Sequence, residues 1–208
     1  MASIGRMKSW MSAAGVVVVL TSLLATQPAV AAPYQYRLNG GVSGRNYWID
    51  PNAVNFSVYE PYIVDAVASW NSTPTPVSYS RTYSYCCTSV ADFYAKNYYQ
   101  DWSGVTAFFH SDGSLAMPSL GSPPTSNYDY AEVSLDNPDL IGESDWRRVR
   151  SVVAHEFGHA LGLDHVDPYD PSNYVACALM NPDALTSWWS TCHTYAPKQN
   201  DIDSAKQL

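Results

Sequence analysis

The chain has 208 residues, 46% of them hydrophobic, with 11 Lys+Arg against 19 Asp+Glu and a formal net charge of −8. That balance argues against nucleic acid and anionic membranes as partners, and the length suits one domain with a real core better than two. The first residues read as an export signal. Arg6 and Lys8 carry the charge, an apolar run extends from about Ala13 to Ala25, and Ala29, Val30 and Ala31 form a small-residue cleavage site. A membrane anchor is the weaker reading, because the run is shorter than the roughly 20 apolar residues that span a bilayer and no later segment approaches that length. Cleavage after Ala31 leaves one secreted, extracellular domain, 32–208, which is more acidic still because the signal takes two basic residues and no acidic ones. Tyr47 to Asp50 reads as a short strand. From Glu60 to Trp70, the residues Ile63, Val64, Val67, Ala68 and Trp70 recur at helical spacing, so an amphipathic helix is expected there, ended by Pro74 and Pro76. Val77 to Tyr85 reads as a second strand, with others expected at Val105 to His110 and Tyr130 to Leu135. Ser111 to Asn127, dense in Pro, Gly, Ser, Thr and Asn, reads as an extended surface loop.

Ser144 is a good N-cap for the helix that follows. Val149, Val153, Phe157 and Leu161 repeat every four residues along it, which predicts one face in the core and the other toward solvent. Ala154 and Gly158 add a small-residue stripe open to another backbone. A last helix is expected from near Asn200.

The stretch HEFGHALGLDH, from His155 to His165, carries the chemistry. His155 and His159 are four residues apart, so their imidazoles leave one face of a helix close enough to grip one ion. Gly162 can take the positive φ that ends the helix, which lets His165 return as a third ligand. Three protein ligands leave a fourth position for water, and a zinc-bound water has a pKa of about 7, so it is a usable nucleophile once a carboxylate takes its proton. Glu156 is placed for that role. His193 and His110 are not expected as ligands; His110, with Asp112, reads as part of a loop.

In an exported chain the four cysteines read as disulfides rather than thiols. Cys177 and Cys192 would close a short loop, worth about 3 kcal/mol in the chain-entropy model. Cys86 and Cys87 are adjacent, and their connectivity stays open.

HEFGHALGLDH followed fifteen residues later by Met180 resembles the metzincin zinc proteases, in which a methionine turn lies beneath the metal. Ala178, Leu179 and Met180 followed by Asn181 and Pro182 most resemble the matrixin branch; astacins and serralysins carry a tyrosine where this chain has Pro182. NDIDSAKQL is similar to the matrixin carboxy-terminal helix, and Asp201 matches an aspartate that supports the methionine turn there, while Asn200 replaces its partner. Asp112 to Gly121 is similar to the stretch leading into the strand that borders the substrate cleft. Met117 stands there in place of a histidine of a second, structural zinc, so that second zinc is not expected. Val166 replaces the serine common in matrixins, and no cysteine-switch motif is present.

The resemblance implies an α/β (α+β) fold. Its parts are a twisted, mixed and mostly parallel sheet, two long helices, a methionine turn, a smaller irregular part after Gly162 and a short C-terminal helix. It implies a secreted, monomeric zinc endopeptidase with one catalytic zinc on His155, His159 and His165. Zinc-bound water would be activated by Glu156 and the substrate would be a protein or peptide. Pro182 to Tyr195 would wall the pocket for the side chain after the scissile bond, where Trp188 and Trp189 either narrow it or cover core surface. Calcium sites occur in the family, and the sequence locates none here. Two alternatives belong to other classes: a secreted zinc-binding module without turnover, and a zinc hydrolase of small non-peptide substrates.

Overall fold

A computed structural model of the protein describes residues 36–84, 88–116, 127–142, 146–166, 177–182 and 192–208. The elements are β1 (Arg37–Leu38), β2 (Arg45–Ile49), α1 (Phe56–Asn71), β3 (Tyr79–Arg81), β4 (Ala91–Lys96), β5 (Gly104–Phe109), β6 (Asn127–Tyr128), β7 (Tyr130–Asp136), α2 (Asn137–Leu140), α3 (Trp146–Ala160) and α4 (Gln199–Ala205). Five strands form a sheet in the order β3-β2-β4-β7-β5, and β1 pairs with β6 in a separate ribbon. All neighbours in the larger sheet are parallel except β5, which runs antiparallel to β7. The mixed, mostly parallel sheet is therefore present, with four helices among the described residues. No helix among those residues is long and apolar enough to cross a membrane.

Sequence patterning located α1, β2, β5, β7 and α4 but misplaced some ends. Helix α1 begins at Phe56, ahead of Pro61, because Asn55 turns the chain at φ 54° and Tyr59 is drawn into the core, where its hydroxyl reaches Asn137. Strand β3 is only three residues long, far short of Val77 to Tyr85. β4 was not anticipated. Asp92 and Lys96 are poor strand formers, yet Ala91, Phe93 and Ala95 alternate with them as nearly fully buried residues, and β4 lies in the middle of the sheet. After β4 the chain turns on the buried carboxylate of Asp136, which accepts the N–H groups of Tyr98 (3.0 Å), Tyr99 (3.3 Å) and Gln100 (2.9 Å) before β5 begins. The expected N-cap, Ser144, lies outside the described residues.

Helix α3 corrects the prediction of a solvent-facing side: from Ser151 to Gly158 every residue is buried. Each direction around it meets a different partner. Phe157 packs edge-on against Tyr79 and near Phe93 of the sheet, with centroids 5.1 and 5.9 Å away. Ala154 and Gly158 face α1, but the stripe admits a side chain rather than a backbone. Trp70, fully buried, lays its ring beside Gly158 and donates its indole N–H to the Ala154 carbonyl at 2.9 Å. Glu156 faces β5 and His155 faces the turn around Met180.

Trp70 is thus the main pin between the two long helices. Trp70→Ala should cost about 3–5 kcal/mol, and Trp70→Phe, which loses the indole N–H beneath a buried carbonyl, about 1–3 kcal/mol. Urea unfolding of both variants checks this; a Trp70→Phe protein as stable as wild type would mean that the hydrogen bond adds nothing.

Candidate metal centre

The end of α3 has the form needed to bring a third histidine back. Gly162 has φ 101°, the Leu163 N–H bonds the Gly158 carbonyl at 3.1 Å, and the Gly162 N–H bonds that of His159 at 2.6 Å. This pair of bonds is the Schellman stop with glycine in the left-handed position. A side chain at Gly162 is doubly excluded, since a Cβ there would also lie 2.9 Å from the Tyr36 carbonyl oxygen. Two residues on, Asp164 accepts the His165 N–H at 2.7 Å and sets the backbone from which the third imidazole returns.

The three Nε2 atoms of His155, His159 and His165 form a triangle with every edge 3.1 Å. These histidines lie close enough to hold one metal ion. The outer nitrogens decide the chemistry. His155 Nδ1 lies 2.7 Å from the Leu179 carbonyl oxygen and His159 Nδ1 lies 2.8 Å from that of Leu163. A carbonyl only accepts, so both Nδ1 atoms carry the hydrogen and both Nε2 atoms present lone pairs to the same point. Neutral lone pairs facing one another at this distance repel, and a cation between them would relieve that repulsion. The corners of such a triangle lie about 1.8 Å from its centre, within reach of zinc–nitrogen bonds of about 2.0–2.1 Å. Protonation is disfavoured here. Burial first, then the neighbouring histidines, holds His155 well below the usual imidazole range; burial and His165 bring His159 down to about 4.

Beneath the imidazoles, Ala178, Leu179, Met180 and Asn181 are buried at 1% exposure or less. Asp201, at the start of α4, holds this turn: its carboxylate accepts the N–H groups of Leu179 (2.8 Å), Met180 (3.1 Å) and Lys198 (2.7 Å). A continuous path therefore runs from α4 through Asp201 and the Leu179 peptide to His155 Nδ1. Met180 is not in the metal triangle. It fills the space that Gly158 leaves, where a Cβ would collide with its sulfur. Cys177 and Cys192 are joined by a disulfide that flanks the turn, and Thr194 donates its hydroxyl to the Cys177 carbonyl at 3.1 Å.

Glu156 lies one residue from the first histidine and is 4% exposed. Burial pushes its carboxyl up to about 7, partly offset by a 2.8 Å hydrogen bond from Thr106. Glu156, the three histidines and Pro182 line one cavity of 340 Å³. Trp188 and Trp189 lie outside the described residues, as do Met117, Cys86 and Cys87. The opposite wall was missed in the sequence: it consists of β5, with Gly104 and Thr106, and of Tyr36, stacked on Phe108 with centroids 4.0 Å apart. Alternation along β5 places Thr106 and Phe108 on one face, but which face meets α3 is a matter of topology. The described strand beside Glu156 is β5, and the stretch from Asp112 to Gly121, expected to lead into a strand bordering the cleft, lies partly outside the described residues. Asp112 turns the chain by accepting the Ser114 N–H at 2.9 Å, and His110 stands 4.0 Å from Asp129. His193, at a left-handed turn with φ 47°, does not belong to the metal triangle.

Asp201→Ala leaves two buried N–H groups and a half-buried one without their acceptor and should cost about 3–5 kcal/mol in urea unfolding, with affinity for a divalent metal ion reduced by about 10–100-fold in a competition titration. Unchanged affinity would show that the turn holds His155 without Asp201. A pH effect follows from His159, whose folded pKa, about 4, lies below its ordinary value of 6.5. Falling pH protonates the unfolded chain first, so the stability linked to His159 is complete above about pH 6.5 and is lost as pH drops through 4. Metal-free wild type should accordingly lose stability relative to His159→Gln across that window in urea titrations; parallel pH curves would contradict it.

Compared with known proteins, the chain matches no family model and no curated protein, so a functional reading rests on the residues and geometry of this site.

Proposed function

We propose that the protein is a secreted zinc-dependent endopeptidase of metzincin type, nearest to the matrixins, acting as a monomer on protein or peptide substrates. The observation that carries this reading is the convergence of the three Nε2 atoms at 3.1 Å, in the same cavity as a buried carboxyl. Three neutral imidazoles are a donor set suited to zinc, and leaving a coordination position open is the mark of catalytic rather than structural sites. The mixed sheet with one antiparallel edge strand, the two long helices and the buried turn at Met180 are compatible with the metzincin fold.

His155, His159 and His165 would hold the ion. Zinc there would supply a Lewis acid that polarises a carbonyl oxygen and makes a water acidic near neutral pH. Glu156 takes the proton of the attacking water and returns it to the leaving amine, a role that suits a carboxyl raised to about 7. Asp201 and the Leu179 carbonyl keep His155 in the tautomer that presents Nε2 inward.

Peptide is favoured over a small substrate by the edge of the sheet. β5 ends the strand order, and its side away from β7 is occupied at Phe108 and Phe109 by Leu115 and Ala116. From Gly104 to Ala107 no strand among the described residues pairs with that side. An extended chain laid along it gains main-chain hydrogen bonds and passes beside Glu156. A non-catalytic zinc module would have no use for a buried, tunable carboxyl at that place.

Zinc-loaded protein should cleave members of a broad peptide library, lose this activity to a chelator and regain it with zinc. Glu156→Gln should lower kcat by at least about 100-fold while zinc stays bound. The acid limb of kcat/KM should fall at or below pH 7, since a nearby dication lowers the Glu156 pKa from about 7. Zinc-loaded protein that cleaves nothing, with no difference between wild type and Glu156→Gln, would sink the proposal.

A further inference from the structure

The carboxyl assigned to proton transfer is held from the sheet, by a group that no metal-site motif contains. Thr106 Oγ1 lies 2.8 Å from Glu156 Oε2 and 2.9 Å from the Glu156 backbone oxygen. A hydroxyl has one hydrogen to give and lone pairs with which to receive. Facing ionised Glu156, it donates to Oε2 in a charge-assisted bond. Glu156 is thereby paired, in a buried place where leaving its carboxyl unpaired is costly.

The same strand makes room for the side chain. A Cβ at Gly104 would lie 2.7 Å from Glu156 Cγ and 3.0 Å from Val152 Cγ1, so the methylenes of Glu156 pass where β5 has no side chain. Gly104 and Thr106 lie on the same face of a strand paired with β7 along its whole length, from Gly104 opposite Leu135 to Phe109 opposite Tyr130. β5 is therefore a stiff support, anchored independently of α3.

We propose that Thr106 is the positioning residue for Glu156. It aims the carboxyl, so that one strand aligns both the proton carrier and an extended substrate. This rests on the reading of Glu156 as the proton carrier of a peptidase.

The test compares zinc-loaded Thr106→Val, which keeps the volume and loses the hydroxyl, with Thr106→Ser, which keeps the hydroxyl. Thr106→Val should lower kcat by about 10–100-fold with KM and bound zinc near wild type, and Thr106→Ser should restore most of kcat. In protein labelled with 13C at glutamate carboxyls, the Glu156 resonance, assigned through its loss in Glu156→Gln, should move at fixed pH in Thr106→Val and stay near wild type in Thr106→Ser. A Thr106→Val protein with kcat within twofold of wild type, or with an unmoved resonance, overturns the assignment. If wild type cleaves no peptide, the peptidase reading falls and the resonance alone decides whether Thr106 holds the carboxyl.

Discussion

Three imidazole nitrogens brought to a single point at the end of α3 are the constraint on which the rest depends. Left to itself, that arrangement repels: the Nε2 atoms of His155 and His159, 3.1 Å apart, cannot hydrogen-bond to one another when their hydrogens are committed to carbonyls on the outer side. It persists because each imidazole is carried by backbone that is itself pinned. His155 is read by the Leu179 carbonyl, Leu179 by Asp201, and His159 by the Leu163 carbonyl just past the glycine stop. The buried turn, the α4 carboxylate and the φ of Gly162 are thus parts of one device, which keeps neutral nitrogens where a cation is wanted.

The sheet enters this device from the other side. α3 is not an amphipathic helix lying on a core; it is an axle with a different contact in each direction, sheet at Phe157, α1 at Gly158, turn at His155 and β5 at Glu156. The single antiparallel strand is the one that touches the proposed proton carrier. Its position depends in turn on the buried carboxylate of Asp136, which sets the turn leading into it. Two buried carboxylates, Asp136 and Asp201, therefore fix the two sides of the cavity by the same means, each accepting three backbone N–H groups.

What could be read from the amino-acid order was whatever is local. The pairing of His155 with His159 follows from helical period, and the return of His165 from a glycine that permits one backbone conformation; both need only neighbours along the chain. Met180 and Asp201 were reachable through family resemblance, and both lie under the histidines. Thr106 and Tyr36 were not reachable. Each lies in an unremarkable stretch and acquires its place only when β5 and the N-terminal strand are brought against the end of α3 by non-local pairing. Burial on every side of α3 was missed for the same reason, since the period of apolar residues reports one packed face and is silent about polar residues enclosed on the others. β4 was hidden by Asp92 and Lys96, whose side chains leave the sheet on the face away from α1 and α3.

Gly158 stands in the motif as one of its unspecified positions, but in three dimensions it is a volume reserved for two other side chains, the sulfur of Met180 and the ring of Trp70. The spacing of the histidines is thus only half of a specification, and the missing half is written in two residues far away along the chain. Grafting the eleven-residue stretch onto another helix would carry over the ligands without the hollow that seats them. A designer reproducing this centre would have to transfer the glycine, the methionine and the tryptophan as a matched set, shaped to one another as a mould is to its cast.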